Sequence, residues 1–235
     1  PDHVAVFRMG RVLSIDTESI KVNLNVRRGL AIDGIWFKEI CNERLLGTLP
    51  HGFYDNITLG ADFYSGHLIF ETPGKPKLTD LELVEPDVGW SVADQKIVIS
   101  CTVKSALGDI KKSVLIEPKT AEVEVVYGIE WRSLPVGSLR LGMITLFPNS
   151  FSRETLFFRS HNGGSEMETF YPRESNVNHG ESASFLVSAK HALGMTEGML
   201  DIGDGEKFLR ISVDASQSAV IGLITYAPLN DTYFF

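Results

Sequence analysis

Cysteine is scarce in this sequence, and its scarcity excludes two kinds of scaffold. The chain of 235 residues has two cysteines, Cys41 and Cys101, each in an apolar, strand-like segment. Two cysteines so far apart do not give the spacing of a disulfide framework or of a zinc site. We interpret both as small core residues.

Long hydrophobic runs are also absent. No window of about eighteen apolar residues occurs, so no segment is predicted to span a membrane. No secretory signal peptide is visible, and we expect a cytoplasmic protein. The chain starts at Pro1 without a methionine and stops in an aromatic run at Phe235. We therefore expect a piece excised from a larger protein, whose catalytic part lies elsewhere.

Positive charge is in deficit. Lysine and arginine number 22 against 30 aspartates and glutamates, which gives a formal net charge of −8. This balance argues against a nucleic-acid partner and against anionic membrane surfaces, and it is compatible with a neutral ligand. The hydrophobic fraction of 43% and the charged fraction of 22% are typical of a globular protein.

The common motifs of metal, phosphate and nucleophile chemistry are missing. None of the six histidines lies in an HExxH arrangement, and no GxSxG, P-loop or GxGxxG before a helix occurs. Asp201 and Asp204 with Gly205 lack the run of oxygens and the final glutamate of a calcium loop, and a hairpin turn explains them better. We predict no metal, no cofactor and no catalytic residue.

Alternation of apolar and polar residues dominates what is present, as in half-buried strands, and no segment of ten or more residues holds a clean helical period. The clearest hairpin is 199–214, where Gly203-Asp204-Gly205 is expected to supply positive φ angles. The pattern predicts an all-β fold, a large antiparallel sandwich that forms a single domain over residues 1–235. The other predicted strands include 20–28, 29–37, 77–85, 96–105, 110–118, 121–131, 139–148, 218–228 and 230–235.

The segment 51–71, HGFYDNITLGADFYSGHLIFE, combines aromatic rings with histidines and aspartates. Aromatic rings stack on the C–H face of a sugar, and short polar side chains pair with its hydroxyl groups. This composition favours a sugar-binding loop. A β-hairpin corner with core aromatics and polar turn caps is the alternative interpretation, since most such loops carry no function.

Three further polar clusters lie at glycine-marked loops: 159–171, 176–181 and 190–206. In an extended chain Glu166 and Glu168 point the same way, about 7 Å apart. Two carboxylates on one strand face do not flank a scissile bond as a glycosidase pair does, so solvated surface carboxylates are the better interpretation.

Four stretches together resemble a known family: NLNVRRGLAIDGIWF, GADFYSGH, HNGGSEMETFYP and KHALGMTEGMLDIGDGEKFLRISVD. They are similar to the galactose-mutarotase-like β-supersandwich. More narrowly, they resemble the β domains that follow the catalytic domain in glycoside hydrolases of family 57 and of family 38, the α-mannosidases. The resemblance implies a carbohydrate context.

Aldose 1-epimerases of this fold use a histidine and a glutamate as acid and base, with the histidine in an Asn-His-x-Tyr-Phe-Asn run. Here Asn178-His179 is followed by Gly180-Glu181, so the signature fails and the chemistry is not carried over. The resemblance instead implies an accessory domain, non-catalytic alone, that packs on the catalytic domain of the same polypeptide. The alternatives are a stand-alone epimerase with His/Glu acid–base catalysis and a purely structural domain.

We expect the sugar contacts to come from the polar loops. Aromatics would stack and acids would accept hydroxyl hydrogens, with an affinity on the order of millimolar to micromolar because most such bonds replace bonds to water. The expected substrate-binding residues are His51, Tyr54, Asp62, Tyr64, His67, His161, Glu168 and His191.

Overall fold

The computed structural model describes residues 3–49, 63–133, 136–174, 191–229 and 232–235. These residues form strands, turns and two short 3-10 helices, with no α-helix among them. Every strand pair between them is antiparallel. The predicted all-β class is confirmed. No helix in these ranges has the length and apolar character needed to cross a membrane.

The chain divides into two compact units, Pro1–Thr145 and Leu146–Phe235. The single-domain prediction stays a prediction. The first unit has sheets in the orders β1-β2-β3-β4, β10-β9-β8-β7 and β11-β5-β6. Its strands are β1 (Ala5–Met9), β2 (Val12–Asp16), β3 (Ile20–Asn25), β4 (Ala31–Phe37), β5 (Leu68–Glu71), β6 (Leu78–Thr79), β7 (Asp87–Ser91), β8 (Lys96–Ser105), β9 (Gly108–Glu117), β10 (Glu122–Trp131) and β11 (Ser138–Leu141).

The long strands β8 and β9 show why this part of the sequence folds as sheet. Buried positions alternate with more exposed ones along both strands, as the period of two requires. The buried row of β9 consists of Ile110, Lys112, Val114 and Ile116, and it faces the interior of the first unit. One member of that apolar row is a lysine.

Several predicted strands are shorter in the structure, and the cause is visible for three of them. Strand β3 ends at Asn25 rather than at residue 28, because the Asn25 side chain accepts the Arg27 amide and Gly29 adopts a positive φ of 58°. Strand β6 ends at Thr79, because the next residue, Asp80, turns its carboxylate into the core. The segment 139–148 is strand only to Leu141, and Gly142 with φ 62° ends it. Strands β1 and β2 were not predicted.

The second unit has sheets in the orders β13-β12-β15-β16, β14-β17 and β18-β19. Its 3-10 helices are Pro148–Ser150 and Arg153–Thr155. Its strands are β12 (Phe157–Ser160), β13 (Glu168–Phe170), β14 (His191–Gly194), β15 (Met199–Gly203), β16 (Phe208–Ser212), β17 (Ile221–Ile224), β18 (Ala227–Leu229) and β19 (Thr232–Phe234).

The predicted hairpin of 199–214 is confirmed as β15 and β16, but its turn works differently. Neither Gly203 nor Gly205 has a positive φ, so that expectation was wrong. The Asp204 carboxylate holds the turn instead: Oδ1 accepts the amides of Glu206 and Lys207, each at 2.9 Å. Its Oδ2 accepts the Ser152 amide at 2.7 Å. An Asp side chain that accepts nearby amides fixes a turn without left-handed backbone.

Candidate functional site

The sugar-contact residues expected in segment 51–71 divide into two groups. His51, Tyr54 and Asp62 lie outside the described residues. Tyr64 is half-buried, and His67 is only 3% exposed. Nδ1 of His67 lies 2.7 Å from the carbonyl oxygen of Tyr64, and since a carbonyl oxygen can only accept, Nδ1 carries the proton. Burial lowers the pKa of His67, with Asp80 opposing that shift.

The residues around His67 are packed into the first unit. Phe63 and Ser65 are buried, and Ser65 Oγ donates to the Gly47 carbonyl at 2.7 Å and accepts the Thr145 amide at 3.0 Å. The Arg28 guanidinium lies over the Tyr64 ring, 5.9 Å from its centroid. This part of the segment is largely buried, and Ser65 and His67 bond to the protein itself, which fits the interpretation of the segment as a structural corner.

Lys112 and Asp80, which are not among the predicted site residues, form a buried polar centre. Neither side chain has exposed surface, and Nζ of Lys112 lies 2.9 Å from Oδ2 of Asp80. Nζ also donates to the carbonyls of Gly29 at 2.8 Å and Gly66 at 2.5 Å, so all three ammonium hydrogens have acceptors. The second carboxylate oxygen of Asp80 accepts the Leu68 amide at 2.9 Å.

A sequence signal for this centre exists. Lys112 occupies an apolar position in the alternation of 110–116, where its neighbours on the same face are isoleucine and valine. A lysine on a core face is almost never buried without a partner. The signal predicts a buried partner without saying which acid supplies it.

Strand register places Cys101 and Tyr127 on either side of Lys112. Burial raises the pKa of the Cys101 thiol to about 11 and raises that of the Tyr127 hydroxyl well above its usual value. Burial lowers the pKa of Lys112, and Asp80 offsets part of this shift. The buried thiol stays protonated and is therefore unreactive, and the ammonium is fully bonded.

The other expected contacts, His161, Glu168 and His191, lie in the second unit. Glu168 is exposed and pairs across the ladder with Ser160. His161 follows Ser160 and is half-buried, with its backbone carbonyl bonded to the Thr196 amide at 2.9 Å. His191 is the first residue of β14, opposite Ile224. No hydrogen bond joins His161 to Glu168 within the ranges that the structure describes.

A row of charged side chains crosses the β12-β15-β16 part of the sheet. The register places Arg159, Asp201 and Arg210 directly opposite one another on the three strands. The Asp201 carboxylate is completely buried. It accepts Nε of Arg159 at 2.9 Å on Oδ2, and Nε and Nη2 of Arg210 at 2.8 and 3.0 Å. We call these three residues the arginine row.

Two phenylalanines lie beside the arginine row. Phe157 and Phe208 face each other across Gly203, with ring centroids 6.4 Å apart. The Arg159 guanidinium lies 5.2 Å from the Phe157 centroid and 4.9 Å from that of Phe208. Phe208 is 47% exposed, so this apolar surface is open to solvent. Stacked on rings and bonded to a buried carboxylate, the guanidiniums are held in fixed positions.

The electrostatics of the arginine row leave it net positive. Burial alone would raise the pKa of Asp201, but the hydrogen bonds from Arg210 and Arg159 outweigh burial and hold that pKa below its usual value. The carboxylate is therefore ionised at neutral pH. Two guanidiniums share its single charge. This site is not predictable from the sequence, because Arg159 and Asp201 are 42 residues apart and only strand pairing brings them together.

Two concave features lie elsewhere on the described residues. One, of about 540 Å³, is lined by residues that include His3, Asp16 and Lys38, and another of about 320 Å³ is lined by residues that include Glu154, Tyr171 and Arg173. Among the described residues, no three His, Cys, Asp or Glu side chains come together in a way that could hold a metal ion.

The sequence matches no protein-family model, and no curated protein matches it.

Proposed function

We propose that this protein is a carbohydrate-associated β domain that is non-catalytic alone and binds sugar on the open face of the β12-β15-β16 sheet. The observation that supports the proposal is the arginine row beside the exposed ring of Phe208. A catalytic domain of the same polypeptide as partner and a cytoplasmic location belong to the same proposal.

The chemistry of the face suits a sugar. Guanidinium N–H groups held in place by Asp201 can donate to ring hydroxyls without first losing side-chain entropy. The phenyl surface of Phe157 and Phe208 offers apolar contact to sugar C–H groups. A site this shallow binds on the order of millimolar to micromolar, because hydroxyl bonds to the protein replace bonds to water.

The proposed site differs from the segment that the sequence favours. In segment 51–71 the described polar side chains bond to the protein itself, as His67 does to Tyr64 and Ser65 does to Gly47. In the arginine row, donor groups of both arginines remain outside the bonds to Asp201. Sugar contact by His67 stays a prediction, and at 3% exposure it would require the loop to open.

A purely structural domain is the second candidate, and a specific observation favours it. The run from Phe63 to Phe70 is buried apart from the half-buried Tyr64, as expected if the segment only supports the core. The epimerase alternative requires a histidine and a glutamate that converge on one sugar ring.

Calorimetry of the whole chain against an oligosaccharide panel tests the proposal. We expect binding that Phe208→Ala weakens by about tenfold, about 1.4 kcal/mol. Phe7→Ala is the matched control, because Phe7 is 48% exposed on β1 of the first unit, against 47% for Phe208. Binding of no oligosaccharide, or equal weakening by both substitutions, would overturn the proposal.

A mutarotation assay distinguishes the proposed non-catalytic domain from an epimerase. The proposed non-catalytic domain leaves the anomerisation of glucose and galactose at the background rate. Catalysis above background by the isolated chain would overturn the non-catalytic part of the proposal.

A further inference from the structure

The arginine row has donor groups that its own carboxylate does not use. Arg159 gives only Nε to Asp201, and Arg210 gives Nε and Nη2. Within the described residues, both terminal nitrogens of Arg159 and Nη1 of Arg210 donate to no protein group. The Arg210 side chain is 48% exposed and that of Arg159 is 32% exposed, so both side chains reach solvent.

The arginine row also carries an unbalanced positive charge. Asp201 is completely buried and ionised, and it compensates one of the two guanidinium charges. A ligand that brings one negative charge would complete the neutralisation. A planar carboxylate also matches the paired N–H groups that a guanidinium presents.

The two arginine side chains of the row are held in fixed positions, and this favours the specific recognition of a ligand. Each guanidinium is bonded to the buried carboxylate and also lies near a phenyl ring: Arg159 is 4.9 Å and Arg210 is 6.0 Å from the Phe208 centroid. Side chains fixed in this way lose little entropy when a ligand binds. Exposed arginines without such support contribute little.

We propose that the sugar recognised on this face is acidic, a saccharide with a uronate carboxylate that binds the free guanidinium groups of Arg159 and Arg210. This inference rests on the proposed function and names its substrate class. The formal net charge of −8 repels long polyanions, so the row selects one uronate group in a short oligosaccharide rather than a polyanionic chain.

The experiment compares a uronate oligosaccharide with the neutral oligosaccharide of the same linkage and length, by calorimetry on the whole chain. We expect the uronate form to bind about tenfold more tightly at low salt, as charge-assisted hydrogen bonds predict. The preference falls as salt rises from about 0.01 to about 1 M, because the screening length shortens.

Two variants test whether the arginine row causes the preference for the uronate oligosaccharide. Arg210→Gln keeps Asp201 bonded to Arg159, so we expect it to preserve the fold and to abolish the uronate preference. Arg8→Gln removes one charge from an exposed ion pair with Glu85 in the first unit and leaves the preference unchanged. Circular dichroism and the unfolding midpoint of Arg210→Gln show that a lost preference does not reflect a lost fold.

The outcomes separate this inference from the function on which it rests. Equal binding of neutral and uronate forms, unaffected by Arg210→Gln, overturns the acidic-sugar inference while carbohydrate binding stands. Binding of citrate or inorganic sulfate as tight as that of the uronate sugar also overturns it, since the row would then be a general anion site. Binding of neither saccharide overturns the proposed function and the inference with it.

Discussion

Lys112 and Asp80 form an ion pair with 2.9 Å between Nζ and Oδ2, and neither side chain is exposed to solvent. Lys112 donates to the carbonyls of Gly29 and Gly66, and Asp80 accepts the Leu68 amide. The ion pair thus links β9 to three other segments of the first unit, around residue 29, residues 66–68 and residue 80. Desolvation of two charges offsets much of their attraction. Removal of one partner alone, however, leaves an uncompensated buried charge.

Lys112→Met is therefore expected to destabilise the protein by about 3–5 kcal/mol, measured by urea denaturation. Lys111→Met is the matched control on the same strand. Lys111 is 60% exposed and pairs with Glu130 on the surface, so its loss costs less than about 1 kcal/mol.

A double variant tests whether the charge is the cause. Asp80→Asn combined with Lys112→Met removes both charges and keeps an acceptor for the Leu68 amide. The double variant is expected to lose less stability than the two single variants added together. Simple additivity, or equal effects of Lys111→Met and Lys112→Met, would contradict the role assigned to the pair.

The lowered pKa of His67 leads us to expect that the stability of the protein depends on pH. Burial holds its pKa below the ordinary 6.5, although Asp80 opposes this shift and Lys112 adds to it. Near pH 6.5 the His67 side chain therefore binds a proton more readily in the unfolded chain than in the folded protein. Stability falls as the pH drops below about 6.5, with a slope of at most about 1.4 kcal/mol per pH unit from this group.

His67→Asn isolates this contribution. The asparagine amide can still donate to the Tyr64 carbonyl, but it does not titrate. Unfolding free energies between about pH 7 and pH 5 should fall less steeply for the variant than for the wild type. Parallel curves for the two proteins would show that His67 does not titrate differently in the folded and unfolded states.

Alternation in the sequence was enough for the class of the fold and for its longest strands. The segments 96–105 and 121–131 are the strands β8 and β10 of the structure, with the same bounds or within one residue. Strand ends were less predictable, because they depend on contacts distant in sequence. Strand β6 stops at Thr79 because Lys112, 32 residues later than Asp80, draws that aspartate inward.

The candidate site was less predictable than the fold for a related reason. Composition cannot distinguish a polar side chain that bonds to the protein, such as His67 to Tyr64, from one that faces solvent. The arginine row depends on the register of three strands, and nothing in the local sequence fixes the pairing of Arg159 with Asp201. The sequence alone favours a turn for Asp201, whereas in the structure this residue lies within β15.

Asp204 is expected to be the main stabilising residue of the β15–β16 turn. Its carboxylate accepts the amides of Ser152, Glu206 and Lys207, and these bonds outweigh burial and lower its pKa. Asp204→Ala leaves three amides without acceptors and should cost about 2–3 kcal/mol by chemical denaturation.

The control for Asp204 is another aspartate in a turn. Asp214 accepts the Ser216 amide at 3.0 Å but is exposed, so Asp214→Ala should cost about 0.5 kcal/mol. Hydrogen exchange gives a local readout, with faster exchange of the Ser152 amide in Asp204→Ala alone. Unchanged exchange at Ser152 would show that the carboxylate does not hold this segment.

Alanine substitutions at Gly29 and Gly10 distinguish the stability cost of left-handed backbone from the cost of a steric clash. Their φ angles are nearly equal, 58° and 59°, so alanine at either position adopts left-handed backbone at about 1 kcal/mol. A Cβ on Gly10 meets nothing within 4 Å, whereas one on Gly29 would lie 1.8 Å from the carbonyl oxygen of Asp80. Gly29→Ala should therefore cost at least about 2 kcal/mol more than Gly10→Ala in urea denaturation. Because Gly29 also accepts a bond from Lys112, the excess should shrink when Gly29→Ala is combined with Lys112→Met. Equal costs for the two alanines would mean that the Gly29 turn can move away from Asp80 without loss.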